Sequence, residues 1–210
     1  MAGNRQEIRS EETKRVILAM AAELFSKRGF DTVSMREIAR AAGCSHTTIY
    51  IYFKDKQALL HELSVPPLER LKSNMLLALE DTNMSSKERL IEVSWRFIEF
   101  CLRHRNMHTI FFGTNTERVD IEPELPLNKL RNELFNLFKR GLGDIYELEE
   151  ESDTLLSYSR IYFYMLHGIV GTYHQSSETA EELSARLLPT FKESFEIILL
   201  GFTEKLKSRR

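Results

Sequence analysis

The stretch from Ser34 to Lys56, SMREIARAAGCSHTTIYIYFKDK, decides how this chain is read. It opens on Ser34-Met35-Arg36-Glu37, the capping-box pattern in which a serine hydroxyl and a glutamate three residues on satisfy the free backbone donors of a helix start. Ile38, Ala39 and Ala42 fall on one face of that helix, and Gly43 stops it by supplying a left-handed backbone. Ser45 then caps a second short helix through about Tyr50. Two short helices joined by a tight turn containing glycine, Ala41-Ala42-Gly43-Cys44, predict a helix-turn-helix over about residues 34–53. The second helix of such a unit has the size to lie in a DNA major groove.

Ile49 and Phe53 face the small core of this unit, which leaves Ser45, His46, Thr47, Thr48, Tyr50 and Tyr52 on a polar face. Short hydroxyl side chains and a histidine at a helix start can reach base edges, and the positive helix end attracts phosphate. Tyr50, Tyr52, Lys54 and Lys56 suit the phosphate backbone, and Arg36 on the preceding helix can reach a phosphate or a guanine edge. Short polar helices that bind nothing share this pattern, so the residues alone leave a DNA-reading element and a plain surface helix both open.

Upstream, Ser10 is expected to cap a first helix with Glu11 and Glu12 in its first turn. That helix carries Val16, Ile17, Met20, Ala21, Leu24 and Phe25 as a core stripe and ends at Gly29. Downstream, Asp55 caps a fourth helix toward Ser64, and Pro66-Pro67 is expected to interrupt or kink it. Further helices are expected at about 67–81, 86–105, 107–113, 127–142, 152–175 and 178–207, with a long loop from Thr114 to Pro126. Without a strand pattern the class is all-α. The expected division is a three-helix domain over residues 9–64 and a larger helical domain over 65–210.

The 210 residues, 42% of them hydrophobic, can supply a sizeable core. Net charge is −2, unevenly placed: residues 1–60 carry ten Lys+Arg against seven Asp+Glu, and residues 61–210 nineteen against twenty-four. A basic head on an acidic body suits a molecule of which one end approaches a polyphosphate. Cys44 and Cys101 are too few for a disulfide framework or a structural zinc site. The polar start and the lack of a long uncharged apolar run point to a cytoplasmic protein away from the membrane.

The run from Arg15 to Leu60 resembles the N-terminal domain of TetR/AcrR-family regulators. The matching features are Leu24-Phe25, Gly29-Phe30, Thr32, Ile38-Ala39, Ala42-Gly43, Ile49-Tyr50, Tyr52-Phe53, Lys54 and Lys56-Gln57-Ala58-Leu59. The resemblance implies base contacts around Arg36, His46, Thr47 and Thr48, and phosphate contacts from Ser34, Tyr50, Tyr52, Lys54 and Lys56. Cys44 departs from the usual valine of the turn. His46 and Thr47 stand where the family often has a lysine or another small residue, so an operator cannot be carried over.

The last two helices hold more apolar residues than one buried face needs. In the family such a pair forms an intermolecular four-helix bundle, which here implies an interface of Ile161, Gly168 and Gly171 with Leu188, Phe191, Phe195, Ile198 and Phe202. A two-fold dimer would read a palindromic operator. A small, largely apolar effector would be lined by Trp95, Phe100, Met107, Phe111, Phe138, Tyr162 and Met165, with His104, Arg131 and His167 as polar anchors. Each of these aromatics and methionines also reads as ordinary core. His104 and His108 lack a third metal ligand, and no nucleophile and base can be assembled, so neither metal, cofactor nor catalysis is expected. The rival to a ligand-released repressor is a helical protein-interaction module that does not read DNA sequence.

Overall fold

The computed structural model describes residues 2–104, 112, 126–173 and 176–208, those at 2–6 by backbone alone. Among the described residues all regular elements are helices: α1 (Ala2–Arg28), α2 (Met35–Ala41), α3 (His46–Tyr52), α4 (Lys56–Leu79), α5 (Ser86–Arg103), α6 (Pro126–Tyr146), α7 (Asp153–Tyr173) and α8 (Ala180–Lys207). The all-α class is therefore as expected. The helix expected at 107–113 and the loop from Thr114 to Pro126 lie outside the described residues, apart from Phe112 and Pro126, and Pro126 is the first residue of α6.

Two boundaries differ from the sequence reading. α1 begins at Ala2, not after Ser10, because Arg5 to Arg9 are mostly good helix formers and nothing there halts the helix. Ser10 is released from capping, and its hydroxyl donates to the Tyr52 hydroxyl at 3.3 Å. α4 passes through Pro66-Pro67 as one element. Leu59 and Leu60 before the prolines and Leu68 after them are all buried, so the packed face spans the two positions where backbone donors are missing.

The described residues group into two compact units, the first of residues up to Leu68 together with 112 and 126–128, the second of residues 69–104 and those from Lys129 on. In the first, Ile17, Ala21 and Phe25 of α1 pack in a core with Ile38, Ala39, Ile49 and Phe53, whereas Val16 is 38% exposed and lies off that stripe. Gly29 and Gly43, with φ of 81° and 67°, adopt the left-handed conformation the turns require. At Gly43 the α2 end is closed by Cys44 N–H to Ala39 C=O at 3.0 Å and Gly43 N–H to Arg40 C=O at 3.2 Å, the paired bonds of a Schellman end.

The second unit buries one face each of α5, α6, α7 and α8, on residues such as Phe97, Phe138, Tyr162 and Phe195. Its close approach is at Gly141 of α6, where an added Cβ would lie 2.9 Å from Leu90 Cδ1 of α5. A buried polar chain crosses this core. Ser94 Oγ donates to the Leu90 carbonyl at 2.7 Å, and with its proton so used it accepts from the Tyr162 hydroxyl at 2.8 Å. Burial pushes the Tyr162 hydroxyl well above the ordinary phenol range. Cys101 is buried in α5 and Cys44 half-buried in the turn after α2, both as free thiols.

Candidate nucleic-acid interface

α2 starts with a complete capping box: Glu37 N–H donates to Ser34 Oγ at 3.3 Å, and the Ser34 amide and hydroxyl donate to Glu37 Oε2 at 2.9 and 2.8 Å. Arg28 Nη1 reaches the other carboxylate oxygen at 2.8 Å. The Ser34 hydroxyl and amide, then Arg28, stabilise the charged form and draw the Glu37 carboxyl from 4.5 down to about 2. Ser34 is thus occupied as a cap, and Arg36 beside it is exposed.

α3 is capped by Ser45, whose Oγ accepts from Thr48 N–H at 3.0 Å and sits 2.7 Å from Thr48 Oγ1. One hydroxyl proton is used between these two side chains, and the other remains available. Ile49 is fully buried and Phe53 nearly so, which fixes the roll of the helix. His46, Thr47, Tyr50 and Ile51 consequently point to solvent, Tyr50 at 45% and Ile51 at 77% exposure. The His46 and Tyr50 rings meet edge to face at 5.0 Å. Tyr52 is half-buried and held by Ser10, and Lys54 is exposed.

Lys56 takes a different place from its sequence reading. Its Nζ donates to the carbonyls of Phe30, Val33 and Asp31 at 2.7, 3.0 and 3.3 Å and lies 4.4 Å from the Phe30 ring centroid. The ammonium closes the turn between α1 and α2. All three of its donors have acceptors inside the chain, so its side chain acts here as a clamp on that turn.

Of the residues read as effector lining, Phe138 and Tyr162 are fully buried core. Trp95 is half-buried, its ring 6.2 Å from that of Phe191. Phe100 lies 4.6 Å from His104, and His167 lies 4.5 Å from Phe163 and 6.3 Å from Phe97. Phe163, passed over in the sequence, is the hub of this cluster and also meets Phe135 and Phe138. Its position four residues before His167 was the available signal. Burial, with Arg70 and Arg103 nearby, lowers the His104 pKa and favours the neutral ring. Met165 and Arg131 are half-buried, while Met107 and Phe111 lie outside the described residues.

The expected interface needs correction at three residues. Phe191, Phe195 and Phe202 are buried within the chain, Phe202 stacked on Tyr158 at 4.2 Å. Both apolar faces of a long helix look alike in sequence, and these three lie on the inner one. Leu188, Ile198 and Gly171 are half-buried. The outer face carries Ile161, Tyr164 and Gly168 on α7, and Ile197, Leu200 and Gly201 on α8.

Among the described residues no helix is long and apolar enough to cross a membrane, and no three His, Cys, Asp or Glu residues are grouped to hold a metal.

The sequence model of the family described as bacterial regulatory proteins, tetR family, matches residues 17–63. The chain is 32% identical to the HTH-type transcriptional regulator AcrR of Shigella flexneri over 43% of this chain and 52% of that protein. It is 30% identical to the HTH-type transcriptional regulator EthR of Mycolicibacterium smegmatis over 54% and 51%. It thus spans about half the length of the curated relatives it matches. The solved structure of the ketosteroid transcriptional regulator KstR2 of Mycobacterium tuberculosis has the same fold, with a TM-score of 0.68 at 19% identity over 90% of this chain and 93% of that one. All three are named as transcriptional regulators. Residues 17–63 thus match the N-terminal helix-turn-helix domain of the tetR family of bacterial regulatory proteins, and the chain shares its fold with a solved regulator.

Proposed function

We propose that this protein is a dimeric transcriptional repressor that binds a palindromic DNA operator through α3 and is released by a small, largely apolar ligand. The observation that carries the reading is the α3 surface. Its cap and core residues are engaged internally, and His46, Thr47 and Tyr50 are left presented together on a seven-residue helix. Arg36, Lys54 and Tyr52 flank that surface as phosphate or edge contacts. The apolar outer face of α7 and α8 supports a second copy of the chain, since a two-fold dimer sets two such helices against two half-sites about 34 to 36 Å apart. The aromatic cluster around Phe163, with His167 at its edge, and the separate Phe100–His104 pair support an apolar effector with few polar anchors. A ligand that binds one conformation better than the other shifts DNA affinity by that difference.

The test is selection of bound duplexes from a random pool, followed by salt titration of the winner with the native chain and Tyr50→Ala. A two-fold symmetric site, affinity falling steeply with salt, and at least about tenfold weaker binding by the folded variant is the expected result. No enrichment at low salt by folded, ligand-free protein would return the chain to the interaction-module reading.

A further inference from the structure

Ile51 is used by neither the cap nor the core of α3, and at 77% it is the most exposed large hydrophobic side chain among the described residues. Thr47, one turn earlier, is also exposed. At 100° per residue these two straddle the crest opposite buried Ile49, while His46 and Tyr50, in ring contact at 5.0 Å, stand together on one flank. The face therefore has a polar aromatic flank and a crest that carries an apolar side chain. An isoleucine can neither donate to nor accept from a phosphate or a base edge. Ringed by Thr47, Tyr50 and Lys54, it also makes too small an apolar patch for a protein partner. The one apolar group that the major groove offers is the C5-methyl of thymine.

We infer that Ile51 is a specificity-determining residue that packs on a thymine methyl group in the major groove, with Thr47 beside it. This inference rests on the proposal that α3 enters DNA. It demands a T·A pair at one defined position of each half-site and assigns the choice to packing.

The experiment starts from the selected duplex and replaces thymine by deoxyuridine one position at a time, which removes the methyl group and leaves base pairing intact. The native chain is expected to lose about fourfold in affinity per substituted half-site at a single position, the factor carried by burying one methyl-sized group. Ile51→Ala should bind the parent duplex more weakly and be indifferent to uridine at that position, while keeping any sensitivity elsewhere; Ile51→Val should retain most of the discrimination. Because Ile51 is exposed, thermal melting of both variants should match the native chain. Native binding that ignores uridine everywhere, or Ile51→Ala that loses as much as the native chain, would overturn the inference and leave DNA binding standing. If no duplex is selected at all, the inference and the reading beneath it both fall.

Discussion

Glu37 and Lys56 both hold the α1–α2 region, by interactions that respond to different variables. The Glu37 carboxyl is drawn down to about 2, so its contribution is present in full above its ordinary value of 4.5 and fades as pH falls from there toward 2. The gap in melting temperature between the native chain and Glu37→Gln should be steady near neutral pH, narrow below about pH 4.5 and close near pH 2. A gap as wide at about pH 3 as at neutrality would mean that the charge is not what matters. Lys56→Met should cost about 1–3 kcal/mol in urea unfolding, because the carbonyls of Phe30 and Val33 lose a charged donor. If Lys56 were a phosphate ligand, the change would appear in the salt dependence of DNA affinity and leave stability untouched. The Ser34–Glu37 box was legible in the sequence because both partners lie within four residues. The Lys56 clamp was not, because its acceptors lie more than twenty residues upstream and only the folded turn between α1 and α2 brings them together.

Among the elements, caps and glycine stops were readable and helix roll was not. Ser34 with Glu37 starts α2, Ser45 caps α3, and Gly29 and Gly43 follow the ends of α1 and α2, as the local pattern dictates. The extension of α1 to Ala2 and the passage of α4 through two prolines depend on packing and on weak propensities that no start or stop residue announces. In α8 the phenylalanines at 191, 195 and 202 face inward and the aliphatic pair at 197 and 200 faces outward, a choice of roll that two similar apolar faces leave open in the sequence. The glycines differ in the same way. Gly141 is the site of close approach within the chain, whereas an added Cβ at Gly168 meets nothing within 4 Å. Gly168→Ala should therefore stabilise the isolated chain by up to about 1 kcal/mol through helix propensity. If Gly168 permits close approach of a second copy, the same change weakens dimerisation, so melting at low concentration and sedimentation should move in opposite directions. Both moving the same way would remove Gly168 from the interface.

For the molecule as a whole, the dimer proposal concentrates on a stripe that the monomer leaves in water. Leu200 is 62% exposed and Ile197 60%, so Leu200→Glu should fold as the native chain does. It should sediment as a monomer at micromolar concentration and bind the symmetric operator at least about tenfold more weakly, because a charge in an apolar interface is desolvated without a partner. A dimer that survives the substitution would place the interface on another face. The two cysteines have a consequence of their own. Cys44 belongs to the first unit and Cys101 to the second, and burial pushes both thiols up and away from the reactive thiolate. A neutral alkylating reagent followed by mass spectrometry therefore times the breathing of each unit on its own channel. Duplex DNA should slow the clock at Cys44 and an effector the clock at Cys101, so one unlabelled, unmutated sample can report which half of the molecule a candidate compound has touched.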